Sequence, residues 1–345
     1  MLMDEIIRRD VEDVASSVDD ALDGVNVLVT GGAGFIGSWI CDTLIQLGAR
    51  VMCLDNLSSG RVSNIDHIRS DRFRFINQDV CGFEAKEKHD YILHLASIAS
   101  PEDYERRPDE ALLSNSLGSH VVLEAARKDD ATVLFASSSE IYGDAEAVPT
   151  PESYWGKVNP RGVRSCYEEA KRFGEALFMA YHRRYGVDVR IARIFNTYGP
   201  RIRSDGAYAR VVPRFIMQAL RNQDVTVYGN GYQTRSFCYI ADTVKALLLQ
   251  LVEKDACGES LNIGSPFEVS IIELAKEIRG AVKSKSKIVF GPPRVDDPKR
   301  RCPDLTKTEK ILGWKPQTSL NDGLDKTIKW FRMHAETHGD KSTDY

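Results

Sequence analysis

Val25–Thr30, VNVLVT, runs directly into Gly31–Gly37, GGAGFIG, and this junction decides the fold. The first six residues are apolar and rich in β-branched side chains, which reads as a buried strand. A helical stretch from Phe35 to Leu47 follows and begins inside the glycine run. Gly31, Gly34 and Gly37 form Gly-x-x-Gly-x-x-Gly. The first glycine allows a tight turn, the second lets backbone approach a pyrophosphate, and the third lets the helix pack on the strand. Unpaired amides at the helix start favour an anion there. Phe35 and Ile36, between the glycines, belong to the same expected cofactor site. A second strand, Arg50 to Leu54, leads to Asp55 and Asn56. An acid at that place accepts hydrogen bonds from an adenosine ribose and repels a 2′-phosphate, so the expected cofactor is NAD rather than NADP. Asp79 and Val80 follow a third strand, Phe73 to Ile76, at a place suited to the adenine edge.

Outward from this core the alternation continues. Strands fit Tyr91 to Leu95, Thr132 to Ala136 and Val187 to Ile194, with helices around Glu110 to Ala126 and from Tyr167 to about Arg184. Repeated strand-helix units imply an α/β fold, a Rossmann-like doubly wound parallel sheet covered on both faces. Beyond Asn196 the pattern loosens into a smaller carboxy-terminal substrate-binding region. The expected division is an acidic extension over 1–24, a mainly NAD-binding Rossmann domain over 25–195 and a mainly nucleotide-sugar-binding region over 196–338. The extension carries Ile6, Ile7, Val11 and Val14 at helical spacing and is expected to pack peripherally on the body or on a partner subunit. His338–Tyr345 is expected to be disordered.

Composition narrows the function. The chain has 345 residues, 42% hydrophobic and 28% charged, as in a soluble globular protein. A net charge of −4 argues against nucleic acid as a partner, and no apolar run approaches the roughly 20 residues of a membrane span. The amino terminus is too acidic and too broken to be a secretory signal, so a cytoplasmic location is expected. The seven cysteines are scattered, without a Cys-x-x-Cys pair, and are read as reduced. No His/Cys/Asp cluster has metal-ligand spacing, and no metal is expected.

The chemistry is carried by Ser137–Glu140, SSSE, and by Tyr167 and Lys171, spaced Tyr-x-x-x-Lys. Residues four apart share a helix face, so the ammonium sits beside the phenol. A nearby cation lowers a phenol's pKa from about 10 and makes it a usable base. A serine at a strand end can hold the same substrate hydroxyl.

The glycine pattern, His94-Leu95-Ala96-Ser97, Tyr167/Lys171 and Arg193-Ile194-Phe195-Asn196 resemble the extended short-chain dehydrogenases acting on nucleotide sugars. HLASIASPEDY, SSSEIYGD, ESYWGKVNPRGVRSCYEEAKR, RIFNTYGPR, VYGNGYQTRSFCYIAD and DDPKRRCPDLTKTEKILGWKP are similar to segments of the UDP-glucuronate decarboxylases, or UDP-xylose synthases. The resemblance runs from about Val25 to Phe331. It implies that Tyr167 takes the proton of the sugar's 4-hydroxyl while NAD accepts the C4 hydride. Lys171 would hold the nicotinamide ribose and depress the tyrosine pKa, and Ser138 would steady the reacting oxygen. Oxidation at C4 makes a β-keto acid, which loses carbon dioxide. The resemblance places Glu140 and Arg301 near C5 and the carboxylate. Ser139 stands where related dehydratases carry an acid, which disfavours dehydration, and 4-epimerases usually lack the glutamate.

A UDP-sugar substrate gives work to the remaining polar positions. Arg201 and Arg235 suit phosphates as planar forks. Asn196 suits a phosphate or sugar oxygen, Tyr228 the base, and Tyr104 the sugar carboxylate. Trp155 and Trp314 are read as core or lid aromatics and His94 as a structural histidine. The resemblance also implies a homodimer, through the helix bearing Tyr167 and the helix around Glu110 to Ala126. Two other readings stay open: a UDP-glucuronate or UDP-hexose 4-epimerase, and a nucleotide sensor without turnover.

Overall fold

The computed structural model describes residues 3–18, 20–204, 210–294 and 297–334. The tail His338–Tyr345 lies outside the described residues, as do 335–338 of the expected carboxy-terminal region and the first two residues of the extension.

The strands expected from the sequence form as β1 (Asn26–Thr30), β2 (Arg50–Asp55), β3 (Phe73–Asn77), β4 (Tyr91–His94), β5 (Thr132–Ser138) and β6 (Val189–Ile194). They run parallel in the order β6-β5-β4-β1-β2-β3. The order reverses between β1 and β4, which opens a crevice at the carboxyl ends of those strands. The helices of this half are α1 (Glu5–Ala15), α2 (Phe35–Gln46), α3 (Pro101–Arg106), α4 (Pro108–Asp129) and α5 (Ser165–Tyr185). Alternation along the strands fills both faces. Val27, Val29, Val51 and Cys53 pack with Trp39, Ile40 and Leu44 of α2. Leu28, Met52 and Leu54 join Val122 and Leu123 of α4 and Phe178 of α5 on the other side.

Beyond β6 the chain continues through β7 (Thr197–Tyr198), α6 (Val211–Leu220), β8 (Val225–Tyr228), β9 (Thr234–Ser236), β10 (Cys238–Tyr239) and α7 (Ile240–Val252). It then forms β11 (Ser260–Ile263), β12 (Glu268–Ser270), α8 (Ile271–Val282), β13 (Ile288–Gly291), β14 (Arg300–Arg301), α9 (Thr306–Leu312) and α10 (Leu320–His334). β11 returns to the main sheet and pairs with β6, so a seventh strand comes from beyond residue 195 and the two regions interleave. A small sheet, β12-β9-β14, sets Arg301 directly opposite Arg235.

The extension is more than peripheral. Asp4 caps α1 by accepting from the Ile6 amide at 2.9 Å. Ile7, Val11 and Val14 enter the main core, and Asp10 accepts from the Tyr239 hydroxyl at 2.7 Å and pairs with Lys326. A helical stripe of three apolar side chains is enough to bind the segment to the body. Trp314 is buried as expected of a core aromatic, whereas Trp155 is 88% exposed.

Candidate active site

One cavity of about 410 Å³ runs across the carboxyl ends of the parallel strands and into the later region. At its first end lie Gly31, Gly34, Phe35, Ile36, Gly37, Asp55, Asn56, Asp79 and Val80. Gly31 has φ +71°, and a Cβ there would stand 2.7 Å from the Ala96 amide nitrogen. At Gly37 a Cβ would meet the Gly31 carbonyl oxygen at 2.1 Å. Both positions therefore need glycine for the loop to fold back under α2. Gly34 caps α2 without a side chain, which leaves the first-turn amides open toward the cavity. Asp55 accepts from the Ala33 amide (3.0 Å) and the Leu57 amide (2.8 Å), and burial raises its pKa. Asp79 accepts from the Cys81 amide (2.8 Å) and the Asn56 side chain (2.7 Å), tying the ends of β2 and β3 together. Each carboxylate oxygen keeps a further lone pair. An open anion cradle followed by a strand-end acid fits NAD.

At the middle of the cavity α5 carries Tyr167 and Lys171 against the end of β5. Ser138 and Tyr167 line the cavity together here, and Ser138 Oγ accepts from the Glu140 amide at 3.3 Å. The Lys171 ammonium donates to the Ala136 carbonyl at 2.7 Å and is pulled to about 7 by burial. Burial raises the phenol, and the Ser138 hydroxyl is the neighbour that most opposes this. The ammonium sits 5.7 Å from the Tyr167 ring centroid and faces the β5 carbonyl. Tyr104 stacks on Tyr167 with centroids 5.3 Å apart, and its own buried hydroxyl has no hydrogen-bond partner. His94 hydrogen-bonds Thr30 at 2.8 Å and is held neutral, pulled down to about 3 by burial and by the Lys171 charge.

Beyond Ser138, Ser139 is buried and lines the cavity, and Glu140 lies between two guanidiniums. Arg301 grips both carboxylate oxygens, Nη2 to Oε2 at 3.0 Å, and Arg164 holds Oε2 as well. Burial alone would raise Glu140, yet the charges of Arg301 and Arg164 bring it down to about 2. Arg164 also bonds Glu168 at 3.1 Å. The sequence reading missed Arg164. Its signal is the four-residue spacing to Glu168 at the start of the tyrosine helix.

At the far end Arg235 pairs with Asp297 (2.6 Å), and Asn196 donates to the Ser236 carbonyl (3.2 Å). The guanidiniums of Arg214 and Arg294 lie 4.7 and 4.8 Å from the Tyr228 ring centroid. Arg214 Nε is buried without a partner, and Arg294 donates to Glu102 at 2.9 Å. Two cations with an unmet donor suit an anion. Neither arginine is singled out by local spacing. Arg201 also lines the cavity, forms a buried ion pair with Asp42 (2.7 Å) and approaches His67 at 3.4 Å. It takes a left-handed backbone (φ 70°) that turns its side chain toward α2.

Residues 27–264 match the model of the NAD dependent epimerase/dehydratase family. The chain belongs to that family. Within it, UDP-glucuronic acid decarboxylase 1 of Xenopus tropicalis is 44% identical over 91% of this chain and 74% of its own. UDP-glucuronic acid decarboxylase 2 of Arabidopsis thaliana is 45% identical over 90% of this chain and 69% of its own. Among solved structures, an epimerase from Methanothermobacter thermautotrophicus superposes with a TM-score of 0.87 at 32% identity, covering 95% and 96% of the two chains. The fold is the Rossmann-like fold of this family, and its cofactor is NAD.

Proposed function

We propose that this chain decarboxylates UDP-glucuronate to UDP-xylose through a 4-keto sugar, with NAD recycled. The observation that carries the reading is Glu140 held by Arg301 and Arg164 in the cavity that also takes in Ser138, Tyr167 and Lys171. The decarboxylases at 44% and 45% identity support it. Tyr167 takes the proton of the sugar's 4-hydroxyl while Ser138 holds that oxygen. NAD, when bound, contributes a positively charged nicotinamide and the hydride exchange at C4. The resulting ketone stands β to the carboxylate, so the bond from C5 to the carboxyl carbon breaks and its electron pair flows into the ketone. Tyr167 and Ser138 stabilise the enolate oxygen by hydrogen bonds. Glu140, held at about 2, is ionised at neutral pH and has no proton of its own to give. A sugar carboxylate beside Arg301 competes with Glu140 for the guanidinium, which raises Glu140 so that it takes a proton from water and passes it to C5 as carbon dioxide leaves. Tyr167 finally returns its proton to the 4-oxygen.

The remaining assignments follow the same cavity. Residues 25–195 mainly hold NAD and 196–338 mainly hold the nucleotide sugar, with Arg235, Asn196, Tyr228, Arg214 and Arg294 on the UDP side; a structure with both ligands tests that division. Leu112, Leu113 and Leu117 of α4 and Phe173 of α5 are exposed, which supports a homodimer through these helices. Sedimentation at micromolar concentration is expected to give twice the chain mass, and a monomer would refute it. No helix among the described residues is long and apolar enough to cross a membrane. The free cysteines support a reducing, cytoplasmic setting, which cell fractionation checks.

The deciding experiment is to incubate the protein with UDP-glucuronate and NAD and weigh the nucleotide sugars. Loss of carbon dioxide is expected. An unchanged mass with altered configuration would mean a 4-epimerase, and no change at all would leave a nucleotide sensor.

A further inference from the structure

The stripe on α5 that bears Tyr167 and Lys171 continues one more turn to Glu175. Glu175 is buried and sits where three elements meet. From β5, the Ser137 hydroxyl donates to its Oε1 at 2.6 Å. From β6, Arg193 donates to Oε1 through Nε at 3.0 Å and to Oε2 through Nη2 at 2.7 Å. Ser137 and Arg193 are register partners on adjacent strands, so one carboxylate spans both. Ser137 is the residue between Ala136, whose carbonyl receives Lys171, and Ser138, which lines the cavity with Tyr167. Arg193 is anchored in turn by the Tyr142 hydroxyl (2.9 Å) and the Glu152 carbonyl (2.8 Å).

We infer that Glu175 is a positioning residue for the reaction, locking the end of β5 against α5 and supplying the counter-charge for the Lys171 ammonium. It does not touch the reacting atoms. The inference rests on the reading of Tyr167 and Lys171 as the base and its cation. The groups that face Lys171 are His94 from β4, held neutral, and Tyr167 and Glu175 from its own helix; Arg193 from β6 acts through Glu175. Burial pulls Lys171 down to about 7, and Glu175 is the neighbour whose charge pushes it back up. Without that charge the ammonium loses its proton at lower pH. The phenolate it supports then fails earlier on the alkaline side.

The test compares wild type with Glu175→Gln, Glu175→Asp and Ser137→Ala in single-turnover oxidation of UDP-glucuronate across pH. Glu175→Gln is expected to keep its KM, lose about tenfold or more in kcat, and move the alkaline limb down by about one pH unit. Glu175→Asp keeps the charge, so its limb stays while kcat falls. Ser137→Ala removes one bond of the clamp and no charge, so it loses rate severalfold with an unmoved limb. Wild-type kcat and limb in Glu175→Gln, or the same limb shift in both Gln and Asp variants, overturns the inference. Should Glu175→Gln not fold, full activity in Ser137→Ala overturns it instead. A wild-type protein that oxidises no UDP-sugar defeats the underlying reading, whereas a working wild type with an indifferent Gln variant defeats this inference alone.

Discussion

Tyr167→Phe is expected to form no reduced nicotinamide from UDP-glucuronate, a loss of about a thousandfold or more in the rate of C4 oxidation. The phenol stands on α5 against the end of β5, in the same cavity as Ser138 and Lys171. His94, the nearby alternative, is buried, bonded to Thr30 and pulled down to about 3. The variant is also expected to fold. Its ring keeps the stack on Tyr104, and removing one hydroxyl's hydrogen-bonding capacity costs only about 1 kcal/mol. Binding of NAD and of UDP, measured by calorimetry, should stay near wild type because neither depends on the phenol proton. Retained oxidation in Tyr167→Phe, with the fold intact, would remove the base from Tyr167.

The parts of this site that are legible in the sequence are those encoded by local spacing. Gly31, Gly34 and Gly37 announce a turn and a helix start, and Asp55 announces a strand end, because strand, loop and helix adjoin in the chain. Tyr167 and Lys171 are four apart on one helix face, and Glu140 follows directly on the serines of β5. What stays hidden is assembled across long separations. Arg201 finds Asp42 from 159 positions away. Arg301 reaches Glu140 across 161 positions, and family resemblance rather than spacing brings it to mind. β11 joins β6 from beyond the expected domain boundary, since a short apolar strand carries no mark of its partner. Burial is hidden in the same way: spacing fixes which residues are neighbours of Tyr167, while burial raises its phenol.

Glu140→Gln is expected to lower decarboxylation by about a hundredfold or more and to destabilise the protein as well. The carboxylate is the shared partner of Arg301 and Arg164, and only Arg164 has a second acid, Glu168. An amide of the same size leaves two guanidiniums facing each other in a largely buried pocket, where removing one member of an ion pair costs about 3–5 kcal/mol. The two losses separate by pH. In the wild type Glu140 sits at about 2, below the ordinary glutamate value of 4.5. A depressed folded-state pKa contributes stability that is fully present above 4.5 and is lost as pH falls through 2. The gap in urea midpoint between wild type and Glu140→Gln should therefore be widest at neutral pH, narrow below 4.5 and close near 2. The catalytic loss follows a different route, because the amide cannot carry the proton for C5 however the arginines rearrange. Oxidation at C4 needs only Tyr167, Lys171 and Ser138, so the variant should still form the 4-keto sugar while releasing little carbon dioxide. Mass analysis of quenched single turnovers distinguishes these products. Wild-type carbon dioxide release in Glu140→Gln would detach Glu140 from the decarboxylation step and leave it a structural partner of two arginines.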